Sequence, residues 1–178
     1  ITIVLDALLV VGILAAMAWL EWRLTLVSLV LGPPIAFIVD RIRRVLRTLF
    51  NALFEHNVML EGTILKASMI IPGKDCPQQA DVEEVADFTV QCLKSAVPAV
   101  LPGIVFLSGG QSDDDATAHL NEMNKSENLP WPLSFSYGRA MQSAALKIWG
   151  ADIVNNIAEA QKTVYARAKD NGLAARGE

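Results

Sequence analysis

The sequence predicts an α/β protein with a parallel sheet, preceded by a membrane-like pair of apolar helices. Three observations carry this. Two apolar runs, 1–20 and 24–39, stand almost back to back before a cluster of arginines. Short apolar segments of β type then alternate with amphipathic stretches of helical length, the pattern of βαβ units. The charge also changes sign along the chain: residues 1–50 hold five basic and three acidic residues, and residues 51–178 hold ten and sixteen. Two segments of different chemistry therefore join near residue 50, with expected domains 1–48 and 49–178.

In the first segment, Ile1 to Leu20 is broken only by Thr2, Asp6 and Gly12. Roughly 20 apolar residues span the hydrocarbon core of a bilayer as a helix. Glu21-Trp22-Arg23 interrupts the run, and Leu24 to Val39 follows with Pro33 and Pro34 inside it, which membrane helices tolerate. Trp19 and Trp22 sit where an interfacial aromatic belt lies, and Arg41, Arg43, Arg44 and Arg47 put both ends of a transmembrane hairpin on the cytoplasmic side. Asp6 reads as an interfacial, snorkelling acid. The competing reading is a buried helix pair of a soluble protein. A signal peptide is disfavoured, since no basic region precedes the run and no small-residue cleavage site follows it. The residues Ala18 to Leu26 (AWLEWRLTL), Gly32-Pro33-Pro34 and Arg41-Ile42-Arg43-Arg44 resemble the third and fourth transmembrane helices of a lipid-exporting ABC transporter permease. No GxxxxGK[ST] loop is present, so the resemblance implies at most a membrane-embedded part.

The second segment begins with a short helix end at Phe50–His56 and a predicted strand at Val58–Lys66. A loop containing Pro72 and Gly73 leads to a helix over Asp81–Val97. There Val82, Val85, Ala86, Phe88, Thr89, Cys92 and Leu93 recur at helical spacing. Pro98 and Pro102 end it, and Gly103–Leu107 (GIVFL) is the next strand. Ser112 is a ready N-cap for a helix to Asn124, with Asp113, Asp114 and Asp115 in the first turn, where the helix dipole favours negative charge. Pro132–Tyr137 is the third strand, and helices follow over Gly138–Trp149 and Ile153–Ala168. Three parallel strands cannot close a barrel, so they form a small open sheet or part of a (β/α) barrel.

The 178 residues suit one ordinary domain, and a first residue of Ile is the mark expected of a fragment. Cys76 and Cys92 form no CxxC, which gives neither a metal signature nor a disulfide framework and suits a reduced, intracellular domain. The acidic second segment offers no basic stripe for nucleic acid.

Lys66 ends an apolar strand, where a buried stem and a desolvated amine favour attack on a carbonyl, although a lone lysine there is more often a solvated end. Leu107 to Ser112 (LSGGQS) lets backbone amides approach a ligand just before a helix, a geometry that binds phosphate. Ser136-Tyr137-Gly138-Arg139 repeats it, with an arginine suited to a bidentate phosphate contact. Two successive junctions of this kind match the phosphate site that barrels build after strands seven and eight. His56 and His119 receive no role, and His119 is expected to face solvent. Asn124-Lys125-Ser126 matches a glycosylation sequon without meaning in a cytoplasmic domain. Trp131 and Trp149 read as packing residues.

Three blocks together carry a second resemblance: Asn57–Lys66 (NVMLEGTILK), Pro98–Ser112 (PAVLPGIVFLSGGQS) and Leu133–Ala140 (LSFSYGRA). In that order and spacing they resemble strands six, seven and eight of class I, Schiff-base fructose-bisphosphate aldolases, from about Leu49 to Glu178. The resemblance implies the C-terminal part of a (β/α)8 TIM barrel. It also implies a lyase that cleaves fructose 1,6-bisphosphate reversibly into dihydroxyacetone phosphate and glyceraldehyde 3-phosphate, in glycolysis. Lys66 corresponds to the imine-forming lysine, and Ser108, Gly109, Gly138 and Arg139 to residues holding a substrate phosphate. No cofactor or metal is implied, because the imine replaces the Lewis acid of metal-dependent aldolases. The family pattern after the lysine reads Pro-x-Met, where this chain has Ala67-Ser68-Met69. The resemblance implies a phosphorylated ketose and further copies of the parent chain as partners, in a cytoplasmic setting; the acidic charge argues against nucleic acid, and the apolar runs imply a lipid bilayer for 1–39. The family's first five strands, with its acid–base carboxylates, and its C-terminal tail lie outside these blocks, so the isolated chain is expected to be inactive.

Overall fold

A computed structural model describes residues 39–73 and 75–178. The transmembrane hairpin expected over 1–39, with Asp6, Trp19 and Trp22, lies outside the described residues. Among those described, no helix is long and apolar enough to cross a membrane. The chain separates into two compact units, 1–42 and 43–178. Of the first, residues 39–42 are described and are helical.

The second unit opens on a helix, α1, over 43–55. Asn57 ends it in the left-handed region (φ 54°), its amide donating to the Phe54 carbonyl at 3.0 Å and the Val58 amide to Leu53 at 2.9 Å. This is a Schellman closure with asparagine in the place usually taken by glycine. A single 3-10 turn at Leu60–Gly62 follows, and only then β1, Leu65–Ala67. The strand expected from Val58 is thus three residues long. The earlier apolar residues are spent on the helix exit and the turn, which apolar composition alone does not distinguish from a strand.

The remaining elements are α2 (Val82–Ala96), β2 (Ile104–Phe106), α3 (Asp113–Lys125), β3 (Leu133–Phe135), α4 (Arg139–Ala151) and α5 (Ile157–Ala174). The caps follow the sequence. The Asp81 carboxylate accepts from the Glu84 amide at 2.8 Å while Glu84 reaches back to the Asp81 amide, a capping box. Ser112 Oγ accepts from the Asp115 amide at 3.0 Å.

The sheet order is β1-β2-β3, all parallel, with Leu65, Ile104 and Leu133 in one row and Ala67, Phe106 and Phe135 in another. Because side chains alternate across a strand, these two rows share one face. Ile104 and Phe106 are fully buried there, in a core with Val85 and Leu93 of α2 and Ala116, Leu120 and Met123 of α3. The row between them, Lys66, Val105 and Ser134, lies on the opposite and more open face.

Candidate active site

The backbone ladder runs one step past the strands. Leu107 donates to Ala67 at 3.0 Å and Ser136 to Phe106 at 2.8 Å. Ser108 and Tyr137 therefore emerge side by side at the carboxyl edge of the sheet. Lys66 lies one residue short of that edge on β1, and Arg139 opens α4 just beyond it. In a parallel sheet these positions share one rim, where barrel enzymes build their sites.

Ser108 is buried, and its hydroxyl accepts from the Ala140 amide at 3.4 Å. Gly138 gives α4 no side-chain cap of its own, so a serine from the neighbouring junction supplies an acceptor to the first turn. Gly109 lies against the same helix start. A Cβ there would sit 3.6 Å from Arg139 Nη2 and only 2.9 Å from Leu107 Cδ1, so glycine is what allows the close approach. Gly110 has φ +91°, where other residues are strained, and a Cβ would meet Ile71 Cδ1 at 2.8 Å. The structure thus brings Ser108, Gly109, Gly138 and Arg139 together around one helix N-terminus, with peptide N–H groups and a guanidinium at hand for an anion.

Lys66 departs from expectation. Its stem is exposed, and among the described residues it has neither a salt bridge nor a side-chain hydrogen bond. β1 is an edge strand here, and Val105 and Ser134, which share the lysine face of the sheet, are half-buried.

Two residues beside the site were missed or misread in the sequence. Arg167 of α5 donates from Nε to the Ala140 carbonyl at 3.0 Å, and from its terminal nitrogens to Asp114, Thr117 and the Asp113 carbonyl. It joins the starts of α3 and α4, the two helices that carry the glycine junctions. No sequence signal marked it beyond an arginine on an amphipathic helix. His119 was expected to face solvent but is buried, with Nδ1 2.6 Å from Gln111 Oε1. Burial holds its imidazole below the ordinary histidine range, with the nearby Asp115 carboxylate opposing. The unfolded chain therefore binds a proton at pH values where the folded chain does not, so stability should fall as pH drops below about 6.5. A His119→Asn protein should lose this part of the acid limb in denaturant midpoints measured across pH. An acid limb identical to that of the native protein would refute the assignment.

The other sequence readings divide. Trp131 is buried with Nε1 donating to the Pro98 carbonyl at 2.8 Å, but Trp149 is 47% exposed. Asn124 of the sequon donates to the Leu120, Leu133 and Ala174 carbonyls and is a packing residue. His56 is exposed at the end of α1. Cys76 and Cys92 are free thiols, and no metal-ligating cluster occurs among the described residues.

Residues 38–178 match the family described as "Glycolytic: Fructose-bisphosphate aldolase class-I". The chain belongs to the class I fructose-bisphosphate aldolases. It is 70% identical over 133 residues to a probable class 1 fructose-bisphosphate aldolase of Xylella fastidiosa, covering 75% of this chain and 40% of that protein. It is 51% identical over 135 residues to fructose-bisphosphate aldolase 1 of Toxoplasma gondii, covering 76% and 37%. Its fold is similar to that of the aldolase of Plasmodium falciparum, solved in complex with TRAP and a small-molecule inhibitor. The TM-score is 0.76 at 40% identity, over 80% of this chain and 41% of that one. The chain spans about 40% of the length of the curated relatives it matches, and its parallel βα units are consistent with part of an aldolase barrel. The resemblance of residues 1–48 to a lipid-exporter permease finds no support in these matches, which are to aldolases. Nor do they support reading the chain as a membrane-embedded exporter part.

Proposed function

We propose that this chain carries the imine lysine and one phosphate site of an enzyme that cleaves fructose 1,6-bisphosphate into dihydroxyacetone phosphate and glyceraldehyde 3-phosphate. The observation that carries the reading is the shared rim. Lys66 lies one residue short of the carboxyl edge of β1, and at the same rim Gly109, after the neighbouring β2, packs beside the guanidinium of Arg139, after β3. A phosphate on Arg139 and the amides at the start of α4 would orient the ketose along the rim, toward Lys66.

The Lys66 amine adds to the C2 carbonyl of the ketose and water leaves, giving a protonated imine. The imine draws in the electron pair of the C3–C4 bond as it breaks, while the C4 hydroxyl gives up its proton. Glyceraldehyde 3-phosphate departs. The resulting enamine takes a proton at C3, and water returns to release dihydroxyacetone phosphate and free Lys66. The lysine face of the sheet, with Val105 and Ser134, is the face that turns inward in a closed barrel. Closure would supply the desolvation that Lys66 lacks among the described residues. A cytoplasmic setting accompanies this reading; a relative from Arabidopsis thaliana is described as cytosolic.

Borohydride reduction of the full-length protein with dihydroxyacetone phosphate tests the proposal. Mass spectrometry should find one adduct per chain, on the peptide containing Lys66. An adduct confined to a different lysine would overturn the assignment.

A further inference from the structure

Next to the phosphate-site residues is a polar cleft of about 670 Å³, lined by Arg139, Gly110, Gln111, His119, Asp115 and Asp81 among others. Two of its walls touch each other in a way that the reaction above leaves unexplained. Gln111 follows the two glycines directly, and its amide is held at both ends. Oε1 pairs with His119 Nδ1 at 2.6 Å, and Nε2 donates to the sulfur of Met69 at 3.4 Å. An amide oxygen only accepts, so Nδ1 of His119 carries the proton. Both anchors are buried: His119 on α3, and Met69 in the loop after β1.

We propose that the His119–Gln111 hydrogen bond is a positioning device that holds the Gly109–Gly110 backbone against Arg139 and so sets affinity for the substrate phosphate. This rests on the phosphate-site reading above. Glycines give the loop its close approach to Arg139, but they also leave its backbone the most conformational freedom to lose. A fixed side chain at the next residue removes that freedom before the ligand arrives, and preorganisation of this kind is gained as affinity. The loop has little tolerance for movement: Gly109 lies hard against Leu107 and Gly110 against Ile71. Packing alone does not account for the pair. Burying a histidine and an amide costs desolvation that an apolar pair of similar size would avoid. Asp115 on the same helix, Asp81 at the start of α2 and Arg139 at the start of α4 are the charged groups that line the same cleft.

The test uses the full-length protein, inorganic phosphate as the probe, and two substitutions at one position. His119→Leu removes the donor, whereas His119→Asn places an amide N–H where Nδ1 stood. Calorimetric titration should show phosphate binding about tenfold weaker in His119→Leu, the worth of one hydrogen bond, and close to native in His119→Asn. The KM for fructose 1,6-bisphosphate should rise by a similar factor with kcat unchanged. Borohydride trapping of dihydroxyacetone, which has no phosphate, should be unaffected. Equal phosphate affinity in all three proteins would overturn the proposal. So would a loss in His119→Leu that extends equally to dihydroxyacetone, since that is general disruption of the fold, and so would failure of the native protein to bind phosphate. Absence of any lysine adduct in the native protein, with phosphate binding following the predicted order, would instead refute the Lys66 chemistry and leave the positioning role standing.

Discussion

Replacing Lys66 by arginine should abolish the borohydride-trapped adduct and lower kcat on the order of 10³-fold or more, while leaving stability unchanged within about 0.5 kcal/mol. Arginine keeps the positive charge and much of the stem. Its guanidinium stays protonated at any working pH and presents no free amine to a carbonyl. A contribution of Lys66 through charge alone, steering an anionic ketose to the rim, would survive this change. A contribution through covalent chemistry would not. The expected indifference of stability follows from the exposure of Lys66 and its lack of a salt bridge or side-chain hydrogen bond among the described residues. The comparison requires denaturant midpoints and trapping yields on the same preparations. Substantial trapping by Lys66→Arg at a second lysine would show that the imine belongs elsewhere.

The parts of the site that were legible in the sequence are those in which local chemistry dictates conformation. Ser112 before three aspartates marks a helix start whatever surrounds it, and the structure starts α3 at Asp113. Paired glycines after an apolar strand mark a close approach, and here they meet Arg139 and Ile71. What failed turned on the detailed path of the backbone and on which side chains it brings together. Val58 to Ile64 continues an apolar stretch that reads as a strand, yet the left-handed turn at Asn57 and the 3-10 turn after it consume those residues. His119 falls on a polar helix and looked solvated, because Gln111 lies on the preceding junction and one sequence cannot show that the two side chains meet. Trp149, read as packing, is half-exposed beside Leu146, Val164 and Tyr165 at the surface between α4 and α5. The burial expected of Lys66 is a property of a closed barrel interior, which three strands do not make.

Arg167 joins these elements from outside the rim. Ser108 lends its hydroxyl to the first turn of α4, and Arg167 takes the carbonyl of the same residue, Ala140, from the other side. Its remaining donors go to the first two turns of α3. Thr117 passes the contact on to Asn171, a fully buried amide that also donates to the Arg167 carbonyl at 2.8 Å. The two helices that present the glycine junctions are thus held at a fixed spacing by one side chain of α5 and the polar groups around it. Tyr137 completes the bracket. Its hydroxyl donates to the Ala116 carbonyl at 2.7 Å, and burial pushes its phenol well above the usual range, so it remains a donor at any working pH.

Arg167→Ala should therefore cost about 3 kcal/mol of stability and lower the melting temperature by about 10 °C. The ion pair is a minor part of this. The Asp114 side chain is 93% exposed, and a pair open to water on one side is worth at most about 1 kcal/mol. The larger share comes from the partly buried bonds to the Ala140 and Asp113 carbonyls and to Thr117, whose acceptors would be left without this donor inside the structure. Two further substitutions separate these contributions. Asp114→Ala removes the carboxylate and should cost about 0.5 kcal/mol or less. Arg167→Lys keeps the charge but loses the planar fork that reaches four acceptors at once, and should recover less than half of the loss. Calorimetric melting of the three variants at one pH and ionic strength decides the matter. If Asp114→Ala were as damaging as Arg167→Ala, the surface ion pair would be the stabilising element. If Arg167→Lys were as stable as the native protein, charge and not geometry would hold the two helix starts together.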